Sequence, residues 1–125
     1  MVKIGICDDE PEMRKPLRQI LEQVLQLRGT DHQISEYGSG EELTAGISYL
    51  DTDILFLDIE MINLNGIEIA TMIRNYDLDT YIIIVSGFPK YKNVAYRLHV
   101  FDYLDKPLDK TMLFKTLDDM MIMSI

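Results

Sequence analysis

The stretch DILFLD, Asp53 to Asp58, places Ile54, Leu55, Phe56 and Leu57 in unbroken succession between two aspartates. A half-buried strand alternates apolar and polar residues, whereas a continuous apolar run of this length is the pattern of a strand buried on both faces. Burial on both faces requires helices above and below, which is what parallel strands joined by helical crossovers supply. Asp58 then stands at the end of an apolar strand, where an unpaired carboxylate is costly, so it calls for partners from elsewhere in the chain.

Working outward, four more apolar segments alternate with amphipathic ones. Lys3–Cys7 is the first and ends in Asp8-Asp9. Gln33–Tyr37 is a second, weaker strand. Tyr81–Val85 is the fourth, β-branched from Ile82 to Val85, and it ends at Ser86-Gly87. Val100–Leu104 is the fifth. From Met13 onward Leu17, Ile20, Leu21, Val24 and Leu27 recur at helical spacing, and Gly29 follows as a stop. Pro11 suits the first turn of that helix; Pro16 does not, and predicts a late start or a local bend. Ser39 with Glu42 forms a capping box for a helix to about Tyr49. A loop through Asn63–Gly66 leads into a helix carrying Ile69, Ala70 and Ile73. Tyr91–Leu98 reads as a short helix, and Asp109 caps a last one running through Met123. Strands and helices in strict alternation predict an α/β fold: one domain over residues 1–125, doubly wound and flavodoxin-like. Its five-stranded parallel sheet would have the order 2-1-3-4-5, with helices on both faces.

Composition agrees with a globular domain. The 125 residues are 47% hydrophobic and 26% charged, and the net charge of −9 argues against a direct nucleic-acid contact, which needs a basic face. No apolar run approaches the ~20 residues of a membrane span. Acidic residues follow within the first ten positions, so no secretory leader is expected and the cytoplasm is the expected compartment. Cys7, the single cysteine, lies in an apolar run and reads as a small buried hydrophobe.

In open parallel sheets ligands bind outside the carboxyl ends of the strands, where the strand order reverses. The order 2-1-3-4-5 puts that point between the first and third strands, whose ends carry Asp8, Asp9 and Asp58. Ser86 and Lys106 end the fourth and fifth. Crowded carboxylates repel unless a cation intervenes, and Mg²⁺ suits oxygen ligands with waters and a phosphate. One carboxylate can then act as a nucleophile toward a phosphoryl group, and Asp58 is the candidate. Lys106 supplies a fixed charge and Ser86 a hydroxyl donor for the phosphoryl oxygens.

At these residues the chain resembles the receiver domains of two-component response regulators. The matching pieces are CDDE at 7–10, FLDIEM at 56–61 with NGIE at 65–68, IVSG at 84–87 and FDYLDKP at 101–107. The wording of the second and last is most similar to receivers whose output is a LytTR-type DNA-binding domain. The resemblance implies that Asp58 is the phosphoacceptor, charged by a sensor histidine kinase. Mg²⁺ would be held by Asp9, Asp58 and the Glu60 backbone carbonyl, with Asp8 helping directly or through water. Ser86 would swing toward the phosphoryl group, Tyr103 would change rotamer with it, and Lys106 would pair with the phosphate. The Lys106–Pro107 bond would be cis. Such a domain is a switch, not an enzyme beyond its own phosphorylation and slow dephosphorylation. It implies DNA as a partner only through a C-terminal domain beyond Ile125, and it leaves a homodimer open.

Three departures stand out. Ile62 occupies the place of the family's usual proline, which predicts a more mobile loop. Glu60 and Phe88 lie two residues past Asp58 and Ser86, positions that in the family flank the attacking water, so both are candidates for tuning the phosphoryl lifetime. Tyr103 also admits a plain core role.

Other motifs fail on inspection. GSGEEL at 38–43 has Leu43 where a dinucleotide fingerprint needs glycine, and IVSGF lacks the flanking glycine of a nucleophile elbow. His32 and His99 have no metal spacing and read as surface residues. Met112, Met120, Met121 and Met123 read as a packed helix face. The competing functions are a stand-alone or phosphorylation-independent receiver-like module, and an aspartyl-phosphate phosphatase, for which so short a chain has no room for a cap domain.

Overall fold

Each strand of the sheet sends alternate residues to opposite faces, and the two central strands, Ile54–Asp58 and Tyr81–Ser86, are apolar on both, so two cores form. The structure, a computed structural model, describes residues 1–76 and 79–123, the side chains of 121–123 excepted. The strands are β1 (Val2–Cys7), β2 (His32–Tyr37), β3 (Ile54–Asp58), β4 (Tyr81–Ser86) and β5 (Asp102–Asp105). They pair in parallel in the order β2-β1-β3-β4-β5, as expected from the alternation. The helices are α1 (Pro11–Leu27), α2 (Gly40–Thr44), α3 (Gly66–Asn75), α4 (Lys92–Arg97) and α5 (Lys110–Met123).

β3 runs down the centre with all five residues buried. Its Ile54 and Phe56 join Ile4, Ile6, Ile83 and Val85 beneath Leu17, Leu21 and Val24 of α1 and Leu113, Leu117 and Met120 of α5. Its Leu55 and Leu57 face the other way, with Ile82 and Ile84, against Ile69, Ala70 and Ile73 of α3, Ala95 of α4, and Leu43 of α2. Full burial of each such side chain contributes about 1.5–3 kcal/mol before chain entropy is counted. Met120 is buried and Met112 packs at the margin of the first core; the side chains of Met121 and Met123 lie outside the described residues.

Several boundaries differ from expectation. α1 begins at Pro11 with no late start. Pro16 sits on its exposed side, and the carbonyl deprived of a donor belongs to Glu12, also exposed, where water can serve it. α2 stops at Thr44 and a separate 3-10 turn, Ile47–Tyr49, follows. Thr44 Oγ1 bonds back to the Gly40 carbonyl at 2.9 Å and Gly46 follows, both unfavourable to helix continuation. Ser39 does cap α2, accepting from the Glu42 amide at 3.0 Å, but the Glu42 carboxylate reaches back to the amide of Gly38, one residue before the cap. A 3-10 turn, Pro89–Tyr91, precedes α4. β5 starts later than Val100, because His99 turns the chain through a left-handed conformation (φ 59°) and Val100 is buried in the second core.

His99 is exposed and His32 partly buried, with Nδ1 2.9 Å from the Thr30 carbonyl. Cys7 is buried, and burial first, then the neighbouring carboxylates, pushes its thiol up to about 12, as suits an inert core residue. Among the described residues no helix is long and apolar enough to cross a membrane.

Candidate functional site

β1 ends its pairing when the Asp8 amide donates to the Tyr37 carbonyl at 3.2 Å. Asp8 is only 6% exposed, and its Oδ1 accepts from the Glu10 amide at 3.0 Å as the chain turns into α1. Asp9 is tied to the loop after β3, where its Oδ2 accepts from the Ile62 amide at 3.2 Å. Asp58 ends β3 and is 3% exposed. Its carboxylate accepts, at 3.2 Å on Oδ1, from Lys106 Nζ. The same ammonium lies 3.6 Å from Asp8 Oδ2. Lys106 follows β5, and its bond to Pro107 is cis, as the resemblance implies.

Asp8, Asp9 and Asp58 each offer an oxygen within 4.8 Å of the other two. Burial, and after it the charge of Asp8, pushes the Asp58 carboxyl up to about 6 against the pull of Lys106. Asp8 is raised as well, again first by burial. Burial alone would lower Lys106, but Asp58 and Asp8 outweigh it and its value rises. Three carboxylates against one ammonium leave the cluster net negative, and every donor is a hard oxygen. That set suits a divalent cation such as Mg²⁺ better than zinc or copper, which favour nitrogen and sulfur.

The remaining expected residues form a second group. Ser86 is wholly buried, and its Oγ accepts from the Phe88 amide at 3.0 Å. Tyr103 is buried too and donates its hydroxyl hydrogen to the Phe88 carbonyl. Phe88 itself is 46% exposed, with the Lys90 ammonium 5.9 Å from its ring centre. Ser86 and Tyr103 thus meet at the backbone of Phe88 and not at Asp58. A backbone bond joins the two groups: the Lys106 amide donates to the Ser86 carbonyl at 3.0 Å.

Four supporting residues went unread in the sequence. Asn65 and Glu68 form a full capping box at the start of α3, a signal present in the spacing N-x-x-E. A Cβ on Gly66 would lie 2.5 Å from the Asp58 carbonyl oxygen, so only glycine lets α3 seat against the phosphoacceptor candidate. Arg14 donates to the Asp8 carbonyl at 2.6 Å, which nothing in its local sequence announces.

Comparison with known proteins agrees with this arrangement. Residues 4–118 match the family described as the response regulator receiver domain. The chain is 36% identical to the transcriptional regulatory protein BtsR of Salmonella typhi, over 94% of this chain and 47% of that protein. It is 31% identical to the sensory transduction protein LytR of Staphylococcus epidermidis, over 87% and 42% respectively. The chain therefore spans about half the length of these curated relatives. The crystal structure of the response regulatory domain of mrkE from Klebsiella pneumoniae superposes with a TM-score of 0.86, at 20% identity and with 97% and 96% of the two chains covered. With the acidic cluster, its lysine and the strand order all in place, the chain belongs to the response-regulator receiver domain family.

Proposed function

We propose that this receiver accepts a phosphoryl group on Asp58 from the phosphohistidine of a sensor histidine kinase. The observation that carries the reading is the buried Asp58 carboxylate with Lys106 Nζ 3.2 Å from Oδ1 and two further acids beside it. Asp9, Asp58 and the Glu60 backbone carbonyl would hold Mg²⁺, with Asp8 assisting. The ion supplies charge neutralisation for a nucleophile and a phosphoryl group that would otherwise repel. An Asp58 oxygen attacks phosphorus as the phosphorus–nitrogen bond of the donor breaks and its electron pair returns to the imidazole. Lys106 then pairs with a phosphoryl oxygen.

Ser86 gives up the Phe88 amide and turns its hydroxyl to another phosphoryl oxygen, and Tyr103 follows because both side chains share that loop. Phosphorylation in this way biases a two-state loop, with a coupling of about 1–3 kcal/mol expected. Glu60, exposed, and Phe88 set how quickly water reaches the acyl phosphate. The output is a DNA-binding domain outside residues 1–125, an inference supported by the transcriptional regulator among the relatives and by the half-length match. The switching domain acts in the cytoplasm and is not itself an enzyme of general substrates.

The test is intact-mass measurement after treatment with acetyl phosphate and Mg²⁺. One phosphoryl group per chain is expected, none without the metal, and none in Asp58→Asn. Equal labelling of Asp58→Asn would defeat the assignment, and catalytic turnover of a phosphate ester without labelling would point instead to a phosphatase.

A further inference from the structure

Asp8 and Asp9 flank a single peptide unit, and that unit lies beyond the last ladder partners of β1, which pairs as far as Cys7 with both β2 and β3. Its carbonyl oxygen is met by Arg14 Nη1 at 2.6 Å, from the first turns of α1. The guanidinium is itself fixed from behind: Nε donates to Glu36 Oε1 on β2 at 3.1 Å, and the side chain is only 17% exposed. Glu36 is shared, since its other oxygen accepts from Arg18 Nη1 at 2.9 Å. A peptide unit is planar, so holding its oxygen orients both flanking Cα atoms together. Those two atoms carry the two acids of the β1 end.

We infer that Arg14 is a positioning residue for the acidic site: through the Asp8 carbonyl it sets the orientation of the Asp8 and Asp9 carboxylates toward the cation. The assignment rests on the reading of this cluster as a Mg²⁺ and phosphoryl site. Arg14 bonds the Asp8 backbone and would act on the site from one bond away, as groups that orient metal ligands do. A planar, multiply donating guanidinium can bond Glu36 and the carbonyl at once, which a lysine ammonium does less rigidly.

Arg18 provides the discriminating control, because it bonds the same Glu36 but makes no contact with Asp8. The experiment is calorimetric titration of the metal-free chain with Mg²⁺, together with urea midpoints, for the wild type, Arg14→Met, Arg14→Lys, Arg18→Met and Glu36→Gln. Arg14→Met weakens Mg²⁺ binding about tenfold, Arg14→Lys recovers part of the loss, and Arg18→Met stays within about twofold. Glu36→Gln, which loosens Arg14 without removing it, falls between; it keeps the test alive should Arg14→Met fold poorly. Equal losses in Arg14→Met and Arg18→Met would reduce Arg14 to a brace between α1 and β2. Unchanged affinity in Arg14→Met overturns the assignment alone, whereas a wild-type chain that takes up no Mg²⁺ overturns the reading of the site and this assignment with it.

Discussion

Lys106 Nζ lies 3.2 Å from Asp58 Oδ1, and the same ammonium faces Asp8, so one cation is divided between two buried carboxylates. Lys106 holds both carboxyls down, so removing it pushes both up. In Lys106→Met the Asp58 carboxyl rises further above its present value of about 6. Phosphorylation by acetyl phosphate should fall at least about tenfold, since one transition-state charge contact is worth about that or more. A mass time course at fixed Mg²⁺ measures this, and undiminished labelling would remove Lys106 from the site.

The raised Asp58 value also sets a pH dependence. The ordinary carboxylate value is 3.8 and the folded value about 6. Between roughly pH 4 and 6 the unfolded chain has lost the proton that the folded chain still holds, so stability falls as pH rises through that window. Above it the cost is about 2–3 kcal/mol. Asp58→Asn should therefore raise the urea midpoint of metal-free protein at pH 7.5 and leave it nearly unchanged at pH 4. Mg²⁺ should narrow the difference by restoring the wild type. A variant less stable than wild type at pH 7.5 contradicts the account.

Ile62 bears on the metal directly. Its side chain is 75% exposed, but its amide donates to Asp9 Oδ2 at 3.2 Å, a bond that the family's usual proline has no hydrogen to make. The loop expected to be more mobile is thus tied at this point to an acid of the cluster. Ile62→Pro should change Mg²⁺ affinity several-fold, of the order seen for other groups bonded to metal ligands, while Ile62→Ala should not. Calorimetry on both variants decides, and identical behaviour would mean that the amide is idle.

Gly66 is sterically confined against Asp58. A methyl group there meets backbone and not a flexible side-chain end, with the Asp58 carbonyl oxygen 2.5 Å away. Gly66→Ala should cost about 1–3 kcal/mol in urea unfolding and reduce Asp58 labelling through displacement of its backbone. A stability within a few tenths of wild type would show that α3 can shift freely.

Phe88 is expected to slow loss of the phosphoryl group by obstructing water. Phe88→Ala should shorten the lifetime of phosphorylated Asp58 several-fold without altering the labelled fraction at short times. Decay followed by mass spectrometry tests it; an unchanged lifetime assigns Phe88 only the backbone role it shows toward Ser86 and Tyr103.

The sequence by itself determined where the strands lie and which acids end them. It could do so because those features are local: an apolar run such as Ile54–Leu57 reports burial on both faces, and strand ends are where polar residues interrupt it. Helix lengths were less legible, as α2 shows, since Thr44 and Gly46 weigh against a capping signal at Ser39 that says only where a helix starts. Tertiary structure alone decided which groups support the site. Arg14 reaches Asp8 through the turn of α1, Gly66 is glycine because α3 lands on Asp58, and Ser86 and Tyr103 meet at Phe88 from two strands. Each of these is a contact whose partner is set by packing, and no spacing along the chain encodes it.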